Sequence, residues 1–221
     1  MQNLFGNTAF IAAASNGHER ICDSLITRGC KLDMQNKDGV TALMCAAGNG
    51  HDEVCDLLIT RGCKADMQNN SGWTALIAAA SLGHDEVCDL LITRGCKVDM
   101  QDHNGDTALM SAAENGHDGV CDLLITRGCK ADLQNNSGNT ALMYAADNGH
   151  IPIMISLIEA GCNHSLKNKE GKSGMDLLRQ KHPDKVYEVQ VLCLPYSPTH
   201  SPTHSPTHSP TLLPSSSLPL H

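Results

Sequence analysis

Four histidine–cysteine pairs recur at a spacing of four residues: His18/Cys22, His51/Cys55, His84/Cys88 and His117/Cys121. On a helix that spacing puts both side chains on one face. Two chemistries use such a pair, zinc ligation and a histidine-activated thiolate. A structural zinc site takes four ligands, and here the remaining two would have to come from a neighbouring copy; no C-x-x-C accompanies the pairs. A nucleophile needs one unique pair, oriented by a third group in a pocket. Four equivalent pairs spread along a chain fit a structural role better. No P-loop, dinucleotide fingerprint or H-E-x-x-H is present. The chain is therefore expected to have no metal, no cofactor and no catalytic residues.

The pairs are equally spaced because the whole chain is. Thr8, Thr41, Thr74, Thr107 and Thr140 fall at one constant interval, and the string Gly39 to Lys64 returns almost unchanged from Gly72 and from Gly105. Fixed self-similarity of this length marks a stacked repeat array. In one unit, Thr41 is placed to cap a short helix over 42–47, which Gly48, Asn49 and Gly50 end. Asp52 and Glu53 open a second helix, where negative charge suits the macrodipole. Val54, Leu57 and Leu58 give it one apolar stripe, and Arg61 and Gly62 close it. The stretch 66–72 is polar and ends on glycine, an extended turn. Such a unit buries its stripe only against the next copy.

A 33-residue unit of turn plus two helices, with Thr41-Ala42-Leu43-Met44-Cys45-Ala46 and its counterparts at Thr74, Thr107 and Thr140, resembles the ankyrin repeat. The Gly-His pairs at Gly17, Gly50, Gly83, Gly116 and Gly149 resemble it too. Alanine stands where the family has proline, and Met44 or Ile77 where it has histidine; the period holds across five copies. The resemblance implies an all-α ankyrin-repeat solenoid over residues 1–182, about five repeats plus a partial closing one that opens at Gly171. It makes each histidine a structural residue, bonded into the neighbouring turn. It also implies a concave surface lined by the turn tips and first helices, the usual ligand face.

Composition agrees with such an array. The chain is 41% hydrophobic but only 3% aromatic, so its core must be aliphatic and alanine-rich, as stacked small helices allow. Sixteen basic against 24 acidic residues give a net charge of −8, with no Lys/Arg block; nucleic acid and anionic membrane are poor partners. No signal peptide and no bilayer-length apolar run are seen, so the expectation is an intracellular protein, cytoplasmic before nuclear, and monomeric. Eleven cysteines, an odd number, fit that compartment. Equivalent cysteines on packed helices about 8–10 Å apart are too distant for a disulfide. They are read as small core residues.

Repeats two to four share an identical run, Val54–Lys64, Val87–Lys97 and Val120–Lys130, which points to duplication rather than constraint. The copies differ at their turn tips: Lys37, Asp38, Val40; Asn70, Ser71, Trp73; His103, Asn104, Asp106; Asn136, Ser137, Asn139. They differ again on the first helix, at Cys45 and Gly48, Ala78 and Ser81, Ser111 and Glu114, Tyr144 and Asp147. Drift alone would not spare the second helix. Those tip residues, with Trp73 and Tyr144 as aromatic anchors, are the candidate protein-binding residues. The alternative for Trp73 is packing on its own turn. The Asp56, Asp89, Asp122 and Arg61, Arg94, Arg127 rows read as a solvated face.

At the ends the pattern changes. Met1-Gln2-Asn3 matches the internal Met34-Gln35-Asn36, so the chain starts in mid-pattern, and its first repeat (Phe10, Ile11, Ala12) is expected to fray. That start supports a second reading, a fragment of a larger signalling or enzymatic protein whose activity lies elsewhere. Within the extension 183–196, the run from Val186 to Leu194 is apolar and short, open between a ragged second helix and an edge strand. Residues 197–221 carry Ser-Pro-Thr-His three times and read as a disordered spacer. Ser197, Ser201, Ser205 and Ser209 each precede proline, as a proline-directed kinase requires.

Overall fold

A computed structural model describes residues 6–190, and the expectations for the chain start and for 191–221 lie outside them. Five helix pairs follow in order: α1 (Ala9–Ser15) with α2 (Glu19–Thr27), α3 (Ala42–Gly48) with α4 (Asp52–Thr60), α5 (Ala75–Ser81) with α6 (Asp85–Thr93), α7 (Ala108–Asn115) with α8 (Asp118–Thr126), and α9 (Ala141–Asn148) with α10 (Ile151–Glu159). A sixth pair is made of α11 (Gly174–Lys181), a 3-10 turn (Pro183–Lys185) and α12 (Val186–Gln190). No strand forms among the described residues. First helices stack on first helices and second on second, giving two layers with the core between them.

The threonines do what their spacing predicts. Thr8, Thr41, Thr74, Thr107 and Thr140 each accept the backbone N–H three residues on, at 3.1–3.4 Å. Ser173 takes the same place on α11. Asp176 answers by accepting from the Ser173 N–H (3.0 Å) and hydroxyl (2.7 Å), which completes a capping box. These bonds hold the Asp176 carboxyl below its ordinary range. Alanines fill the contact between first helices: Ala42, Ala46, Ala75, Ala79, Ala108, Ala112, Ala141 and Ala145 are all buried, so the backbones approach closely. Ala9, the counterpart at the N-terminal end of the stack, is exposed.

Residues 183–190, which the sequence leaves open between helix and strand, are helical. Val189 is fully buried because α12 lies on α10 as a second helix does.

No disulfide joins any two of the ten described cysteines. Cys22, Cys55, Cys88 and Cys121 are buried in the apolar core. Burial, helped by nearby aspartates, pushes the thiols of Cys55, Cys63 and Cys88 up to about 12, and those of Cys96 and Cys129 up to about 11. An unfolded thiol ionises near 9.0. Above that pH the unfolded chain releases protons that the folded one retains. The stability that these thiols confer is therefore constant below about 9 and falls progressively towards 12. Urea midpoints at rising pH should show this loss, and Cys55→Ala/Cys88→Ala should flatten it. An unchanged slope in that variant would assign the loss to other groups.

Candidate functional site

Each repeat hands its tip to the next. Asn70, His103, Asn136 and Lys169 donate their backbone N–H to the carbonyls of Asp38, Ser71, Asn104 and Ser137, at 2.8–3.0 Å. The side chains of Asn70 and Asn136 bond back as well, to the Lys37 and His103 carbonyls (both 2.9 Å). Those two candidates are therefore occupied in holding the tips together. Lys37, Asp38, Ser71, His103 and Asn104 stand exposed along the row, while Val40 is half-buried.

A second ladder runs just behind the tips. The Asn36 amide donates to Asn7 (2.8 Å), Asn135 to Asp106 (2.7 Å) and Asn168 to Asn139 (2.9 Å). Between repeats three and four the direction reverses: the Trp73 indole N–H donates to the Asp102 carboxylate at 3.2 Å. Trp73 thus reaches the neighbouring turn, and stays half-buried. Asp102 replaces the asparagine of the other copies, which is the one sequence sign of this exchange.

Tyr144 and Asp106 come together although 38 residues apart: the phenol donates to the Asp106 carboxylate at 3.1 Å and accepts from Asn135 at 3.0 Å. Burial first, then Asp106, Glu114 and Asp102, push the phenol well above its ordinary value. Glu114 is raised as well, by burial and by Asp106 and Asp147. Among the candidates, Asp106 and Tyr144 share a hydrogen bond from side chain to side chain; Trp73 belongs to a separate pair, one repeat earlier. Sequence reading missed Asp102 and Asn135, the two residues that join the others.

The histidines face elsewhere. Nε2 of His51, His84, His117 and His150 lies 3.1–3.2 Å from the Ser15, Gly48, Ser81 and Glu114 carbonyls, in the last turn of the preceding first helix. The rings are spent on stacking, and each cysteine partner is in the core. Among the described residues, no three His, Cys, Asp or Glu side chains come together as a metal would need. On the second-helix layer the charged rows pair across repeats, Arg61 with Asp23, Arg94 with Asp56 and Arg127 with Asp89, all partly exposed. A cleft of about 780 Å³ beside them, between α2, α4 and α6, has Leu57 and Leu90 among its walls and carries the first-turn acids Asp52, Glu53 and Glu86.

Among the described residues, no helix is long and apolar enough to cross a membrane. Comparison with curated proteins returns no match. A family model described as ankyrin repeats (3 copies) matches residues 9–102 and 89–168. Ankyrin repeats are generally protein–protein interaction modules and typically non-catalytic. With that match laid over the helix pairs, capped threonines and tip ladders, the chain belongs to the ankyrin repeat family.

Proposed function

We propose that the array is a non-catalytic adaptor or scaffold that holds a protein partner against the face built from its turn tips and the exposed rows of α3, α5, α7 and α9. In ankyrin repeats this is the concave face. One observation carries the reading: copies that are identical from Val54 to Lys64 and its two counterparts differ at Lys37, Asn70 and His103, at Val40, Trp73 and Asp106, and at Gly48, Ser81 and Glu114. Of these, Lys37, Asn70, His103 and Glu114 are exposed, as a ligand-selecting row must be.

Capture from native lysate tests it with three forms of the chain. These are the intact protein, a Trp73→Ala/Asp106→Ala/Tyr144→Ala variant, and a chain ending at Gln190, which keeps the buried Val189. The triple variant should lose the partner, since anchors of this kind cost about 2 kcal/mol or more when truncated. A helical melt close to that of the intact chain confirms that the loss is local. A partner kept by the triple variant and lost only with residues 191–221 would move recognition to that segment.

A further inference from the structure

We propose that Asn104, at the tip of the fourth repeat, is a site of spontaneous deamidation, which puts a carboxylate into the tip row and loosens the link to the fifth repeat. The reaction needs no partner, so it stands apart from the proposed function while altering the same face.

Five asparagines precede glycine: Asn16, Asn49, Asn104, Asn115 and Asn148. Glycine has no side chain to shield its nitrogen or restrict its backbone, so in these pairs the backbone reaches the neighbouring amide most readily. At the tip, the Gly105 nitrogen bonds to Cγ of Asn104. The bond from Cγ to Nδ2 breaks, and ammonia leaves with the proton from the Gly105 N–H. Water then opens the cyclic imide at either of its carbonyls. One opening leaves aspartate. The other leaves isoaspartate, with the chain running through Cγ and the former main-chain carbonyl released as a carboxylate. Either product adds one negative charge.

The fold separates the five. Four stand at the ends of first helices, where the amide donates to the carbonyl one turn back: Asn16 to Ala12 and Asn49 to Cys45 (both 2.7 Å), Asn115 to Ser111 (2.9 Å) and Asn148 to Tyr144 (3.0 Å). Swinging the amide towards the glycine breaks that bond in each. Asn104 is exposed, and its side chain makes no hydrogen bond among the described residues. The glycine N–H groups do not discriminate, because all are held alike. Gly105 donates to the Asp102 carbonyl at 3.0 Å, Gly17, Gly50 and Gly149 to a helix carbonyl at 3.2–3.3 Å, and Gly116 to Ala112.

The product matters because the Asn104 backbone is in use. Its carbonyl accepts the Asn136 N–H at 2.8 Å, the bond that joins the fourth tip to the fifth. Isoaspartate lengthens the chain at that point and takes this carbonyl off its path, so the tip no longer presents the acceptor in the same place.

The test incubates the full chain in warm, mildly alkaline buffer, once folded and once in urea. Digestion with pepsin in acid and fragmentation in the mass spectrometer then assign the exchange of NH for O to each asparagine. In the folded chain Asn104 should lead each of the other four by about fivefold or more, the factor that one net hydrogen bond supplies. In urea that lead should disappear. By NMR, the Asn136 N–H of the modified chain should exchange faster than in fresh protein, while that of Asn70, which bonds to Asp38 at another tip, stays protected. A folded chain in which any of the other four reacts as fast as Asn104, or in which Asn104 stays intact while the unfolded chain reacts, would overturn the site. Unchanged protection of Asn136 in the modified chain would overturn the loosening.

Discussion

Replacing Leu91 with alanine is expected to remove about 2–5 kcal/mol, the usual loss for a buried leucine whose surroundings cannot collapse. Leu91 is fully buried on α6, the second helix of the third repeat, where α4 and α8 press from either side. In an array each repeat touches only its neighbours, so a defect here also separates two flanking blocks. The urea transition followed by helical signal should move to lower concentration and broaden. Hydrogen exchange should then resolve the blocks before and after residue 91. Leu82→Ala supplies the contrast, because that side chain is 56% exposed. The same chemistry there should cost about 0.5 kcal/mol or less, the usual range for a surface substitution. Similar losses in both would contradict the two-layer core.

The second large effect comes from backbone proximity. Gly72 has φ +84°, and a Cβ there would stand 2.6 Å from the His103 nitrogen and 2.8 Å from the Asp102 Cα. Gly62 has nearly the same conformation, φ +89°, with nothing within 4 Å. Gly62→Ala should therefore lose only the left-handed penalty of about 1–2 kcal/mol. Gly72→Ala carries that and also pushes away the next tip, breaking the bond from His103 N–H to the Ser71 carbonyl (3.0 Å). An unsatisfied backbone group adds about 1–3 kcal/mol. Thermal melts of the pair isolate the tip contact by difference. Equal melting temperatures would show that the tips do not couple the repeats.

What the sequence disclosed was whatever recurs at the repeat period. Thr41 and its counterparts announced the caps, Gly62 and its counterparts the stops, and the Val54/Leu58 stripe the inner side of the second helix. The partners of Arg61 and Trp73 were hidden because their offsets differ from the period: Arg61 reaches back 38 residues and Trp73 reaches forward 29. Each offset combines one repeat with a displacement that only the stacked geometry supplies. The same cause hid Asp102 and Asn135, which look like ordinary turn residues until a neighbour is set beside them. For residues 183–190 the pattern was too short to separate helix from strand, and the exposed side of α10 decided it.

The reversed bond between Trp73 and Asp102, with the one between Tyr144 and Asp106, also helps the chain find its alignment. Because α4, α6 and α8 share the core sequence Val-Cys-Asp-Leu-Leu, a refolding chain that docks α4 on α8 and loops out a whole copy meets an unaltered apolar surface. Loop closure discriminates weakly, since its entropy grows only slowly with length. The pairs of unlike residues supply the discrimination. Trp73 finds its carboxylate only when the fourth copy follows the third, and Tyr144 finds its own only when the fifth follows the fourth. The residues that make one copy unlike another are thus also the marks by which near-identical units are counted in order.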